Sequence, residues 1–284
     1  MQVLFWRDGK QLDETLASLM KTVLGLEDGN KCYLGFDRSL GLADCDNPEV
    51  SQAERWQILS PVKSHEFGTT EINRKIQAKY RGGIIERSRR YGPRPFGEQE
   101  IVWTDKVIQV FNREMKAWPP GVGLDYVANG EIGLAVNANK KPDSLDVGFS
   151  TQPKVTYRYN RKGFDDNLEL AYALTIHKAQ GSDFDIVFLI LPKTTSMLSR
   201  ELLNTGLTRF RQKMVLLIER DTAVLEALRR PDRSDTLLRN SSLFVLAVRP
   251  ESVDRYYAEH LIRLPGVRLC FWFRKQLIRT KNKV

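Results

Sequence analysis

The chain has 284 residues, and at about 150 residues per domain this length predicts one large domain or two smaller ones. Hydrophobic residues make up 42% of the chain, and no run approaches the roughly 18 apolar residues of a membrane-spanning helix. The 44 basic and 35 acidic residues give a net charge of +9, which suits a polyanionic partner such as nucleic acid. Three cysteines without metal-ligand spacing predict no metal site, a reducing compartment and therefore a cytoplasmic protein.

The first third of the chain predicts alternating strands and helices. Short apolar runs predict strands at Val3–Trp6 and Trp56–Leu59, and apolar residues at helical spacing predict helices at Leu12–Leu26 and Thr69–Tyr80. Residues 27–47 are rich in Gly, Asp and Asn and predict a loop between them. Thr69 or Thr70 is the expected N-cap of the second helix.

The stretch from Glu71 to Arg94 is strongly basic, with eight basic residues and two acidic ones. One interpretation is a solvated face or a mobile loop. The other is a surface that tracks a phosphate backbone, and in that case Arg87, Arg89 and Arg90 are the candidate DNA contacts.

The middle of the chain has a sequence pattern that is typical of short β-strands. Between Lys106 and Tyr159, short β-prone runs are separated by Gly, Pro, Asn and Asp, which predicts a small barrel or meander inserted into a larger domain. We place this small β-barrel at residues 104–167.

Beyond Glu169 the pattern alternates strands with helices. Strands are predicted at Leu170–Leu174, Ile186–Leu191 and Met214–Ile218, and helices at Thr175–Gln180 and Ser199–Arg209. The continuously apolar strands are typical of a parallel sheet that is covered by helices on both faces. We therefore predict that these three strands and Trp56–Leu59 belong to one sheet of an α/β fold.

Two motifs in this region carry candidate chemistry. The string TIHKAQGSDF begins at Thr175, and a strand-to-helix junction there would present free backbone N–H groups to a phosphate, with Lys178 as a nearby point charge. The string NTGLTRFRQK contains Arg209, whose guanidinium either caps helix carbonyls or is directed at a γ-phosphate. Upstream, Lys63 follows a Ser-Pro turn and is a further candidate phosphate ligand.

Taken together, these strings resemble the C-terminal half of a RecD-like superfamily 1 helicase, the UvrD-like C-terminal domain. Residues 175–192 look like motif V of that family, residues 201–217 look like motif VI, and residues 57–73 are similar to its motif IV region. The resemblance implies a RecA-like (P-loop NTPase type) parallel sheet flanked by helices with an inserted small β-barrel. It divides the chain into a segment at 1–55, a motor domain at 56–103 and 168–248, the barrel, and a basic tail at 249–284.

The resemblance also implies roles for individual residues. Thr175, His177 and Lys178 would contact single-stranded DNA, Gly181 and Asp183 would face the nucleotide, and Arg209 would be the catalytic arginine finger. Two departures from the family pattern stand out. Asp183 replaces a Glu and is one methylene shorter, and Lys63 replaces an Arg at a position that would also face the nucleotide, so the bidentate fork is lost.

The implied function is that of the C-terminal motor domain of an ATP-dependent DNA helicase in DNA repair or recombination, moving 5′ to 3′ along single-stranded DNA. No G-x-x-x-x-G-K-[ST] phosphate loop occurs in the sequence, and no Asp-Glu pair ends an early apolar strand. ATP with Mg²⁺ would therefore be shared with a first motor domain, an N-terminal ATPase domain in the parent protein or in trans. The alternatives are a non-catalytic single-strand-binding module and a degenerate helicase remnant.

Overall fold

A computed structural model describes residues 1–26, 32–43, 48–138, 144–162, 164, 167–193, 198–229 and 233–234. The predicted basic tail at 249–284 and the apolar run Ser242–Val248 lie outside these residues. In the described ranges, no helix is both long and apolar enough to span a bilayer.

The elements follow one another in this order. The first part of the chain contains β1 (Gln2–Trp6), α1 (Gly9–Leu24), α2 (Cys32–Ser39), a 3₁₀ turn (Val50–Glu54), β2 (Trp56–Ser60) and α3 (Thr69–Tyr91). The middle contains β3 (Lys106–Gln109), β4 (Arg113–Glu114), β5 (Ala117–Trp118), β6 (Tyr126–Val127), β7 (Ile132–Ala138), β8 (Ser144–Phe149) and β9 (Thr156–Asn160). The last part contains β10 (Leu168–Leu170), β11 (Ala173–Thr175), β12 (Phe184–Leu191), α4 (Arg200–Leu207), β13 (Phe210–Glu219) and α5 (Ala223–Ala227).

Five strands form a parallel sheet in the order β1-β13-β12-β2-β11. Its two central strands are apolar and almost fully buried between Val187 and Leu191 and between Met214 and Ile218. Such strands stay buried only when both faces of the sheet are covered. The predicted α/β class with a parallel sheet is confirmed.

Helices cover the sheet on both faces. The aromatic ring of Phe36 in α2 packs against Trp56 of β2. Gly206 of α4 lies against Leu189 of β12, which is paired with Leu59 in the sheet. Because side chains alternate along a strand, Trp56 and Leu59 point to opposite faces. The layers are therefore helix, sheet and helix.

The predicted strand Leu170–Leu174 is wrong in one respect, because it is two strands in two different sheets. Leu168–Leu170 pairs with β3 of an antiparallel sheet, and Ala173–Thr175 pairs with β2 of the parallel sheet. Only Ala171 and Tyr172 separate them, and the buried amide of Gln57 donates to both of their carbonyls at 3.0 Å. The chain crosses from one sheet to the other at this junction.

The β-rich middle of the chain forms a six-stranded antiparallel sheet in the order β10-β3-β7-β8-β9-β5. Its core includes the fully buried rings of Phe149 and Tyr157, which pack against each other. A closed barrel would require the first and last strands to pair, and no such pairing exists among the described strands. The inserted barrel is therefore not confirmed, although the antiparallel sheet is present.

Three predicted elements need correction. Residues 32–39, expected in a loop, form α2, which is held by Phe36 stacked on Tyr80. The predicted helix at Thr175–Gln180 is a series of turns. The third element, α3, continues to Tyr91 rather than ending at Tyr80, and it starts after Gly68 without a side-chain cap. Carbonyls of Val62 and Lys63 accept from its first two N–H groups, so no capping hydroxyl is needed.

Candidate nucleic-acid and nucleotide interface

The segment from Thr175 to Phe184 connects opposite ends of the parallel sheet. In the sheet, Thr175 is paired with Ser60, which follows Trp56 by four residues in β2. Ile186 is paired with Trp56, and Phe184 precedes Ile186 by two residues in β12. At a rise of about 3.3 Å per residue, the two ends are about 20 Å apart along the strands. Candidate residues at the start and end of this segment therefore belong to two separate sites.

A groove of about 240 Å³ lies at the Thr175 end, between α3 and the β10–β11 junction. We call it the Glu169 groove, and its polar lining includes the cations Lys63, Arg74 and Lys178, the acids Glu98, Glu100 and Glu169, and the hydroxyls of Thr70 and Thr175. The groove is shaped by the buried side chain of Asn73, which donates to the carbonyls of Leu170 and Ala173 and accepts from the Ala173 N–H. This clamp fixes the start of the Thr175–Phe184 segment against α3.

Glu169 links the two lysines of this groove. Its Oε1 lies 3.2 Å from the Nζ of Lys63, and its Oε2 lies 2.9 Å from the Nζ of Lys178. Burial alone would raise the pKa of the Glu169 carboxyl, but the hydrogen bonds and charges of the two lysines outweigh it and lower the pKa. The carboxylate is therefore ionised and forms an ion pair with each of the two lysines.

Thr175 and His177 lie at the rim of the groove and in the turn beyond it. The Oγ1 of Thr175 accepts from the backbone N–H of Lys178 at 3.3 Å, and the His177 side chain is exposed. Because this segment is a series of turns, the helix start that was expected to present its free N–H groups is absent, and that part of the phosphate-binding argument is wrong. Any anion at this end must be held by side chains.

Arg209 and Asp183 meet at the other end of the segment. The Nη1 of Arg209 lies 3.3 Å from Oδ1 of Asp183 and donates to the Ser182 carbonyl, and its Nε donates to the Thr205 carbonyl. Gly181 has φ +92°, and open space surrounds its Cα where a side chain would stand. Only glycine adopts this conformation without strain, so the turn leaves a clear approach to the backbone beside the guanidinium.

The Arg209 and Asp183 pair lies where the first residues of β12 and β13 come together, since the Phe184 N–H donates to the Arg209 carbonyl at 2.8 Å. The capping interpretation of Arg209 is observed, whereas the γ-phosphate interpretation stays a prediction. Arg209 caps the Thr205 carbonyl of the preceding helix, and its side chain remains 21% exposed. Lys63, predicted to face the nucleotide, has no contact with this corner among the described residues, and that role stays a prediction.

Comparison with known proteins identifies the family of this region. Residues 170–217, from the end of β10 through most of β13, match the UvrD-like helicase C-terminal domain. The match is confined to these residues, about a sixth of the chain. The matched range contains Thr175, Gly181, Asp183 and Arg209, so the fold class and the resemblance predicted from the sequence are confirmed.

Proteins similar to this chain include helicases of the RecD type. The chain is 33% identical over 210 residues to the RecD subunit of the RecBCD enzyme from Haemophilus influenzae, covering 67% of this chain and 27% of the relative. It is 31% identical over 161 residues to the ATP-dependent RecD2 DNA helicase of Deinococcus radiodurans, covering 55% of this chain and 19% of the relative. The chain thus spans only about a fifth to a quarter of these relatives' length.

Among solved structures, the Pif1 helicase from Bacteroides in complex with ADP-AlF3 and ssDNA is similar at 16% identity and a TM-score of 0.33. That similarity covers 61% of this chain and 44% of the other.

The basic stretch Glu71–Arg94 lies mostly on α3, where its cations point to different sides of the helix and do not form a single track. Arg74 lines the Glu169 groove. Arg87 and Arg90 lie about 20 Å farther along the helix axis. Because each residue turns the helix by about 100°, their side chains project from roughly the opposite side to Arg74. Arg89 projects toward the Arg74 side and pairs with Glu100. Arg81 is fully buried, so it is not available to any nucleic acid.

The sequence analysis missed most residues of the groove, among them Glu169, Asn73 and Arg74 as lining residues. Glu169 precedes Thr175 by six residues, but because the chain changes sheets between them, no strand periodicity relates the two side chains. Asn73 has a recognisable signal, because an uncharged amide among apolar helix positions predicts a buried hydrogen-bond partner.

Proposed function

We propose that the chain is the C-terminal motor domain of an ATP-dependent DNA helicase, which moves along single-stranded DNA and does not hydrolyse ATP by itself. The observation that carries the proposal is the Thr175–Phe184 segment. It has a groove with three cations and three acids in its lining at one end, and the Arg209 corner about 20 Å away at the other. One short segment therefore joins a site suited to a DNA backbone with a site suited to a nucleotide.

The Glu169 groove suits a phosphate backbone because of its cations and hydroxyls. Lys63, Arg74 and Lys178 supply positive charge, and Thr70 and Thr175 supply hydroxyl donors. Such groups position a strand without reading its bases, so little sequence preference is expected. His177, exposed in the adjacent turn, is proposed as a further contact to the same strand.

The Arg209 corner suits one side of an ATP site. Arg209 supplies a permanently charged guanidinium that stabilises charge on a transferring phosphoryl group, and the Gly181 turn leaves the backbone accessible beside it. Bound ATP would supply the phosphoryl group and its Mg²⁺ the charge neutralisation between phosphates. In the described part of the chain, no cluster of His, Cys, Asp or Glu could hold a metal ion. The Mg²⁺ ligands are therefore assigned to a partner ATPase domain.

We place that partner, a first motor domain with a phosphate loop, in the parent protein or in trans, and we place the activity in the cytoplasm and in DNA repair or recombination. A non-catalytic single-strand-binding module is the second candidate, because no phosphate-loop string occurs in these 284 residues. An in-frame phosphate loop in the DNA preceding the Met1 codon would favour the helicase, and a stop codon there would favour a remnant.

The experiment is a salt titration of fluorescence anisotropy with a labelled single-stranded oligonucleotide. The Lys63→Ala, Lys178→Ala double variant should bind more weakly, with a log–log salt slope flatter by up to about 1.4, at about 0.7 per phosphate contact on single strands. Lys10→Ala, Lys21→Ala removes the same charge from α1 and is the matched control. An equal loss in both variants, or none in either, would exclude the groove as the strand site.

A further inference from the structure

Glu169, one of the acids of the groove that the proposed function assigns to a polyanion, pairs with two of its three cations. The carboxylate of Glu169 presents one oxygen to Lys63 and the other to Lys178, at 3.2 and 2.9 Å. Its backbone is fixed in β10 opposite Ile108, between the buried side chains of Leu168 and Leu170. The acid is therefore held in place by a sheet and is not carried by a free loop.

The third cation of the groove is neutralised in the same way. Arg74 is bound by both oxygens of Glu71, one turn earlier on α3, at 2.6 and 3.0 Å. Each of the three cations that line the groove thus has a carboxylate partner from within the chain. A DNA backbone that entered the groove would meet cations that are already paired.

We propose that Glu169 is an internal competitor for the DNA backbone, a carboxylate that holds Lys63 and Lys178 in place of a phosphate until a strand displaces it. The inference rests on the proposed function, since it concerns the same groove. Carboxylate and phosphate oxygens are both anionic acceptors for an ammonium group, so one can replace the other without rebuilding the site. The exchange is feasible because Lys63 is 61% exposed, and such exposed pairs are weak.

The competitor lowers affinity and reduces the number of counterions released when DNA binds. Without the carboxylate, the net charge of the groove would be one unit more positive, so the bound strand would release up to one more of its own condensed cations. The same contacts would then have a steeper salt dependence. A carboxylate that only oriented the lysines would have the opposite effect, because its removal would loosen the groove and weaken binding.

The test compares Glu169→Gln with wild type in the anisotropy titration. Glu169→Gln should bind the oligonucleotide about 2- to 25-fold more tightly at low salt, if each of the two pairs costs a factor of about 1.5 to 5. Its log–log slope should be steeper by up to about 0.7, because one negative charge is removed. Glu226→Gln raises the net charge by the same amount at an exposed position in α5, and it should leave both quantities near wild type.

Glu169→Ala removes the carboxylate without adding an amide, and it guards against a Gln that makes new contacts or fails to fold. Tighter binding in both variants supports the competitor, and unchanged or weaker binding in both overturns it. The Lys63→Ala, Lys178→Ala variant in the same titration separates the two proposals. If it weakens binding while the Glu169 variants do not tighten it, the groove stands and the competitor fails. If it has no effect, the groove itself is wrong.

Discussion

Arg209 and Asp183 form an ion pair of 3.3 Å that closes the end of the Thr175–Phe184 segment onto the start of β13. The pair forms although Asp183 is one methylene shorter than the Glu that motif V usually carries. The guanidinium also donates to the Ser182 carbonyl, so the two chain segments are joined by a side chain and by the backbone. Arg209 is thus held at the surface in a defined position without any ligand.

The isolated chain should release phosphate from ATP no faster than a buffer blank. Arg209, Gly181 and Asp183 are one side of the proposed ATP site, and the phosphate loop and Mg²⁺ ligands are assigned to a partner domain. A coupled phosphate-release assay measures this, with Arg209→Ala as the control at the same blank level. Steady turnover in wild type that Arg209→Ala abolishes would contradict the assignment.

His177→Ala should weaken single-strand binding with little change in the salt slope. The imidazole is exposed in the turn next to the groove, and a neutral His that contacts the strand releases no counterion. The measurement is the anisotropy titration at several salt concentrations. A slope that flattens by about 0.7 would mean that His177 is charged when it meets a phosphate.

The Arg87→Ala, Arg89→Ala, Arg90→Ala triple variant should flatten the slope by up to about two units if all three side chains touch phosphate. Arg87 and Arg90 have no ion-pair partner among the described residues, whereas Arg89 is paired with Glu100. Binding is measured on one long and one short oligonucleotide, because these residues lie about 20 Å along α3 from Arg74. An unchanged slope on the long strand would leave the arginines as a solvated face.

Arg81→Ala should lower the free energy of unfolding by about 3 to 5 kcal/mol, the usual cost of removing one partner from a buried ion pair. The guanidinium is fully buried and donates to Asp37 at 2.6 Å and to the Thr104 carbonyl at 2.8 Å, and Asp105 lies 3.8 Å from its Nε. Arg87→Ala, on the exposed surface of the same helix, should stay within about 0.5 kcal/mol of wild type. Urea denaturation followed by circular dichroism gives both values, and equal stability of the two variants would refute the buried network.

Lys106 should make the protein more stable as the pH rises from about 7 toward 10. Burial lowers the pKa of Lys106 to about 7, although the charge of Glu54 opposes the shift. Between that pH and the ordinary lysine pKa, the unfolded chain binds one more proton than the folded chain, so stability increases with pH by at most about 1.4 kcal/mol per unit. Below pH 7 both states are protonated and this contribution is constant.

The measurement for Lys106 is urea denaturation at pH 7, 8 and 9 for wild type and for Lys106→Met. A neutral amine still has N–H donors for the Trp56 carbonyl and Gln57 Oε1, at 2.7 and 2.8 Å, so the folded contacts survive deprotonation. Wild type should gain more stability over this range than the Met variant. Parallel pH profiles would show that Lys106 keeps its proton in the fold.

The sequence predicted most of the parallel sheet because buried parallel strands have an unmistakable pattern. The continuous apolar runs of β12 and β13 require burial on both faces, which few other structures allow. The helix α2 could not be predicted in the same way, since its formation depends on Phe36 stacking against Tyr80, a residue 44 positions later. The length of α3 was underestimated for a similar reason, because Arg81 and Ile85 are buried on either side of the Gly82–Gly83 pair and hold the helix together across it.

The sequence predicted the Arg209 end of the candidate site better than the Glu169 end. The positions of Arg209, Asp183 and Gly181 in one corner agree with the motif resemblance, although their roles stay predictions. The position of Glu169 between two lysines depends on a change of sheet at Ala171–Tyr172, and no local pattern encodes where a chain leaves one sheet for another. The pairing of Glu169 with the two lysines therefore depends on the tertiary structure and cannot be predicted from the local sequence.

The Ala171–Tyr172 junction couples the antiparallel sheet to the Glu169 groove. The Gln57 amide donates to both junction carbonyls, the Tyr172 hydroxyl donates to Asp105 at 2.6 Å, and the Ala171 N–H donates to the Lys106 carbonyl at 2.9 Å. Two residues of chain and four hydrogen bonds therefore connect the two sheets. We expect a displacement of the antiparallel sheet to move β11, and with it Thr175 at the groove.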